Sequence, residues 1–287
     1  MLAVYKRELK SYFTSMTGFV YIAFFLVIAG IYFYVNNLVS LYSNFEYALS
    51  SISFIFVIMV PLMTMRILAE ERRQKIDQLL LTAPISVEKI VIGKFLAVFT
   101  VFLIGMVILL TYPLILTKYG EVNLLQTYGA WFAFLLMGAA YLSIGMFISS
   151  LTESQMISAA VTFLVLLLLF FMGDLTKNLP TAAQQQWIVT SAILWVICFL
   201  IFLLMKNIYP PIFTGCIGQI ILTLIYRFNP AFYENRLAGV FAWLSPAERY
   251  VNFINGVFDF SGIVFYLSLV CLFVFLTVQM VKRRRWA

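Results

Sequence analysis

The chain has 287 residues, 63% hydrophobic and 11% charged, with a net charge of +7 and a mean hydropathy of +1.00. A soluble domain of this size is roughly 45–50% apolar and about 25% charged, so most of the chain must have lipid as its solvent. The absence of histidine excludes Ser-His-Asp triads, HExxH zinc sites, haem ligation by His and His-based proton relays.

In chain order, residues 1–14 come first. Leu2, Tyr5, Leu9, Tyr12 and Phe13 recur at helical spacing while Lys6, Arg7, Glu8 and Lys10 take the other face. That pattern fits either an amphipathic helix lying on the inner leaflet, its cations toward membrane lipid phosphates, or a basic topogenic anchor. The residues singled out here are Tyr5, Lys6, Arg7, Leu9 and Tyr12.

A membrane span needs about 20 apolar residues in a helix. Eight runs qualify: Gly18–Asn36, Ile52–Leu68, Phe95–Leu116, Gly129–Leu151, Met156–Gly173, Trp187–Met205, Ile208–Tyr226 and Gly262–Val281. The expected fold is therefore an all-α, polytopic membrane helix bundle forming one domain, 1–287. With both termini cytoplasmic, 14 of the 19 Lys and Arg fall inside and 5 outside, as the positive-inside rule requires. This accounts for the positive charge without a nucleic-acid partner. Lys206, Asn207, Pro210 and Pro211 interrupt 187–226, which reads as two spans with a tight turn or as a re-entrant pair.

Between the second and third runs lies 66–94, with six basic and four acidic residues. Ile76, Leu79, Leu80 and Leu81 give it a short apolar face, which Pro84 ends. Ser86 is placed to cap a second short helix with Glu88 in its first turn. A loop that only joined two spans would not offer Leu79–Leu81 to water, so the segment reads as a docking surface. Residues 227–261, rich in Phe and broken at Pro230, Pro246 and Gly256, suit an outer interfacial or re-entrant element. It is either an aromatic belt anchor or a lid, with Trp243, Pro246, Phe253 and Phe258 as the candidate outer gate.

Catalytic groups are not found. No GxxxxGK[ST] loop exists, Met172-Gly173-Asp174 is a passing likeness to an intramembrane protease motif, and no serine has an activating base. Cys198, Cys216 and Cys271 lie in apolar runs and form no metal or disulfide pattern. No ionisable group falls near a span centre, which disfavours ion coupling. The chain is thus expected to be no enzyme and to bind no cofactor or metal, and its energy must come from a partner.

The stretch from Arg66 through Ala69-Glu70-Glu71-Arg72-Arg73, Leu79-Leu80-Leu81-Thr82, Pro84, Ser86 and Gly93-Lys94 closely resembles the cytoplasmic segment of ABC-2 type permeases. Likenesses at 148–155 and from Leu244 to Trp286 extend it over the chain. The resemblance is to the gliding-motility branch, which includes permeases related to nitrous-oxide-reductase maturation. It implies a plasma-membrane subunit of a bacterial exporter that pairs with a second permease protomer and two copies of an ATPase subunit. ATP and Mg would bind to that ATPase. It further implies an interface helix at 1–14 and a coupling helix within 66–94. Coupling is expected from Glu70, Glu71, Arg72, Arg73, Ile76, Leu79, Leu80, Leu81 and Pro84, the leucines inserted and the charges forming a polar rim. The family subunit usually has six spans, which makes 187–226 an inserted helical pair. A non-transporting scaffold or mechanotransmitter, acting on an extracytoplasmic accessory protein through the same ATPase contact, is the alternative.

Overall fold

The computed structural model describes residues 1–75, 85–178, 182–205, 209–229, 233 and 236–285. Its elements are helical throughout the described residues: α1 Leu2–Thr14, α2 Thr17–Phe33, α3 Phe45–Ile52, α4 Ile55–Thr64, α5 Ala69–Arg73, α6 Val87–Leu109, α7 Thr111–Leu116, α8 Leu124–Leu151, α9 Gln155–Asn178, α10 Ala183–Met205, α11 Tyr209–Phe228, α12 Arg236–Leu244, α13 Pro246–Ile254 and α14 Phe260–Arg285. In hydrocarbon every backbone polar group must bond internally, and helices satisfy that within one segment.

Five helical stretches among the described residues are long and apolar enough to cross a bilayer: Thr17–Val39, Val87–Leu116, Leu124–Leu151, Gln155–Leu175 and Phe260–Arg283. A sixth is the pair Phe45–Ile52 and Ile55–Arg73, bent by 54°. The run expected at Ile52–Leu68 is thus the second half of a longer broken element. The remaining two expected runs lie on α10 and α11.

The chain divides into two compact units, Met1–Phe170 with Pro246–Ala287, and Phe171–Ser245. The first unit is organised on α8, most of which is buried. Ala130, Ala133, Gly138, Ala140, Ser143 and Gly145 make α8 thin enough for close neighbours, the packing mode on which membrane helices rely where water supplies no driving force. A Cβ on Gly138 would stand 2.6 Å from the Phe102 ring, and one on Gly145 would overlap the Thr64 hydroxyl. Around this axis Phe25, Phe102, Phe56, Phe134 and Tyr250 form a chain of ring contacts with centroids 4.6–5.9 Å apart, mostly in the edge-to-face geometry that ring quadrupoles favour.

In the second unit α10 and α11 form an antiparallel hairpin. Trp187 stacks on Tyr226 with centroids 5.5 Å apart, Gln219 Nε2 donates to Ser191 Oγ at 3.1 Å, and Gly215 lies against Cys198. Lys206 and Asn207, the expected turn, are outside the described residues, whereas Pro210 and Pro211 open α11. Proline is tolerated there because the first-turn N–H groups have no intrahelical partner.

Candidate functional site

Segment 66–94 leaves the bent α3–α4 element and returns on α6. Ile76, Leu79, Leu80, Leu81 and Pro84 lie outside the described residues. Both flanks of the segment are described, and they converge on one side chain.

That side chain is Lys94, on the second turn of α6 and only 1% exposed. Its ammonium has three N–H donors, and three acceptors meet it: Glu71 Oε1 at 2.7 Å, Glu8 Oε1 at 3.2 Å and the Ile67 carbonyl at 3.2 Å. Arg7 Nη2 closes the cluster, 2.6 Å from Glu8 Oε1 and 3.0 Å from Glu71 Oε1. Two cations and two carboxylates balance, which a buried group of charges requires. Burial alone would raise the Glu8 carboxyl, but the attraction of Lys94 and Arg7 outweighs it and holds Glu8 below the usual carboxylate range.

α1 reaches Lys94 because residue 93 is glycine. A Cβ there would lie 3.2 Å from the Met1 carbonyl oxygen and 3.3 Å from Val4 Cβ. The Tyr5 hydroxyl shares a 3.1 Å hydrogen bond with Thr100 Oγ1 on α6. Tyr12 donates to the Met63 carbonyl at 3.4 Å, and burial pushes its phenol up. Leu9 packs on the core, while Lys6 is exposed. α1 is therefore docked along α6 through Val4 and Tyr5, with its remaining cations outward.

The incoming flank is clamped a second time. The first N–H groups of a helix have no intrahelical partner. At α5 those of Leu68 and Ala69 donate to Ser149 Oγ on α8, at 3.3 and 3.2 Å. Arg72 reaches the same end of α8, with Nη1 3.3 Å from the Leu151 carbonyl and Nη2 2.9 Å from Glu153 Oε1. On the outgoing flank Lys282 Nζ of α14 is 2.6 Å from Glu88 Oε1. The second short helix expected after Ser86 is instead the start of α6, which runs unbroken from Val87 to Leu109. Glu71 and Arg72 bond to distant parts of the chain, whereas Arg73 is exposed and Glu70 accepts from Gln74 Nε2, 3.3 Å away.

At the opposite end of α8, Pro246, Phe253 and Phe258 belong to one corner. Phe253 is buried and meets the exposed Phe258 ring at 5.9 Å, and the buried Pro246 presents its carbonyl to Tyr266 Oη at 2.7 Å. Trp243 is exposed and lies in the second unit. Asp259 caps α14, accepting from Asn252 Nδ2 at 3.0 Å and Ser261 N at 2.9 Å; the Asn252 bond foremost lowers its carboxyl. Gln126 Nε2 donates to the Ile254 carbonyl at 2.8 Å, fastening the corner to α8. Beside it Glu46, 2% exposed, accepts from Thr127 Oγ1 at 3.1 Å. Glu46 is thus a buried acid rather than the loop acid that its place between two apolar runs suggests.

Sequence reasoning missed Glu8, Ser149 and the pairing of Lys94. A lysine within the first turns of an apolar helix was the available signal, since an ionisable residue there needs a partner.

Long apolar helices around a small-residue axis, with a charged node joining a surface helix to an interhelical segment, define a polytopic membrane protein. The chain belongs to the ABC-2 family: the model for "ABC-2 family transporter protein" matches residues 2–281. It is a permease subunit of an ABC transporter, a multi-pass membrane protein of a family that partners an ABC ATPase. No curated protein matches the sequence significantly.

Proposed function

We propose that this permease couples ATP hydrolysis by a separate subunit to export, with segment 66–94 as the cytoplasmic contact. Two ATPase copies, holding ATP and Mg, and a second permease protomer complete the assembly. Leu79, Leu80 and Leu81 insert into the ATPase, and Arg73 and Glu70 form the charged rim. The branch named for gliding motility is the proposed place of this chain within the family.

The observation that carries this reading is the Lys94 node. One buried ammonium joins the segment's incoming flank (Glu71, Ile67), its outgoing helix α6 and the surface helix α1. A push on the segment cannot then move α5 alone. It displaces α6 and α1 together, and through Ser149 and Arg72 it bears on α8. That is the linkage a permease needs to convert ATPase closure into helix movement.

The test is gentle purification through a C-terminal tag, asking whether an ATPase co-purifies and hydrolyses ATP. Leu80→Asp places a carboxylate in the apolar contact and should release it. Undiminished ATPase association in that variant would sink the assignment.

A further inference from the structure

Two clefts adjoin where α1 turns into α2. One, of about 370 Å³, is polar and lined by Arg7, Glu8, Ser11, Arg66, Glu70 and Gln74, among others. The other, of about 400 Å³, is apolar, with Val20, Phe24, Met59, Leu62, Met63 and Met65 in its wall. Tyr12, Ser15, Thr17 and Arg66 line both. Each has the size of a small-molecule site, and together they present a charged half beside a hydrocarbon half. Met16 marks the corner, in the left-handed region at φ 59°, so the chain turns sharply to leave this opening.

The charges decide what fits. Arg7, Glu8, Glu71 and Lys94 neutralise one another in the node. Arg66 and Glu70 remain facing the polar cleft, and neither has an ion pair among the described residues. Arg66 sits at the junction of the two clefts and is exposed. A guanidinium suits a phosphate, while the Glu70 carboxylate lining the same cleft would repel a purely anionic headgroup. One cation and one anion in one cleft match a zwitterion whose amine can reach Glu70.

We infer that this elbow binds one resident aminophospholipid, its phosphate on Arg66, its amine on Glu70, and an acyl chain along Leu62, Met63 and Phe24. The lipid wedges under α1 beside the Lys94 node and holds that helix against the bilayer. The inference does not depend on ATPase coupling, and its main readout needs no partner.

The test uses the full chain in nanodiscs of equal parts phosphatidylethanolamine and phosphatidylglycerol, stripped by detergent and weighed intact by native mass spectrometry. Wild type should retain one phosphatidylethanolamine, preferred over phosphatidylglycerol by about fivefold, the scale of one exposed charge contact. Arg66→Gln should lower retention of both lipids, and Glu70→Gln should remove the preference alone. Leu62→Trp, at a surface position that leaves the fold intact by circular dichroism, should block the acyl half and release either lipid. Equal or greater retention of phosphatidylglycerol by wild type, or retention unchanged in all three variants, overturns the site. Loss of the bound lipid during ATP turnover in the assembled complex would make it cargo and overturn residence.

Discussion

Lys94 Nζ lies 2.7 Å from Glu71 Oε1, so the two described flanks of segment 66–94 are bonded to each other. Glu71 stands just inside the departing flank and Lys94 on the second turn of the returning helix. Their contact closes the junction between α5 and α6. Because Glu8 and Arg7 join the same cluster, α1 belongs to that closure rather than resting beside it.

Lys94→Met should cost about 3 kcal/mol, the low end for removing one partner of a buried ion pair, because Arg7 still faces both carboxylates. Adding Glu71→Gln should recover part of that loss, since the stranded charge is then removed. Thermal unfolding of the purified chain in detergent reads both. Strict additivity of the two substitutions would mean that the pair does not interact.

Acid should loosen α1. The folded Glu8 carboxyl titrates below its unfolded value of about 4.3. Its contribution to stability is therefore complete above that pH and is lost as pH falls through the lower folded value. Protection of the α1 amides against hydrogen exchange, taken relative to the slower intrinsic exchange in acid, should fall on acidification into that window. Glu8→Gln should be less stable at neutral pH and show a flatter acid limb. A variant as acid-sensitive as wild type would place the titrating group elsewhere.

Much of this architecture was legible in the residues. Apolar length marked the spans, because hydrocarbon leaves few alternatives to a helix, and Glu70-Glu71 with Gly93-Lys94 marked the segment. What periodicity does not carry is which charge faces which. Glu71 and Arg72 look like neighbours of Glu70 and Arg73 on an exposed rim, yet Glu71 pairs with the buried Lys94 of α6 and Arg72 with Glu153 in the turn after α8, partners distant in the chain. Ser86-Val87-Glu88 looks like the cap of a short helix; Ser86 does take the N-cap position, without a side-chain capping bond, but the helix it opens is the long α6. Glu46 gives no local sign of burial, since the hydroxyl that satisfies it comes from Thr127 on α8. Ile76, Leu79, Leu80, Leu81 and Pro84 stand on sequence alone.

Gly145→Ala should destabilise the first unit by about 1–3 kcal/mol, the usual cost of overpacking. The new methyl would overlap Thr64 Oγ1 and lie 2.9 Å from its Cγ2. Thr64 cannot swing away cheaply, being β-branched and buried, with its hydroxyl on the Val60 carbonyl at 2.8 Å. This outweighs the gain of about 1 kcal/mol that alanine brings to a helix. Thr64→Ala in the same chain should restore stability. Gly129 is the control, with nothing within 4 Å of a built Cβ, so Gly129→Ala should stabilise. Equal behaviour at both glycines in thermal unfolding would count against the close approach of α4 and α8.

On the proposed role of segment 66–94, Ser149→Ala should separate binding of the ATPase from transmission of its movement. The Leu68 and Ala69 N–H groups lose their acceptor, and a buried donor left alone costs about 1–3 kcal/mol. Lys94 and Arg72 still hold α5, so the segment should remain folded and the ATPase should still co-purify, unlike with Leu80→Asp. What should fall is the response of the permease to nucleotide, measured as the ATP-dependent change in distance between spin labels on α1 and α8. The link from α5 to α8 is then elastic where it was rigid. A full response in Ser149→Ala would move the transmission route onto Arg72 or onto Lys94 and α6, and a lost ATPase would show that Ser149 shapes the docking surface itself.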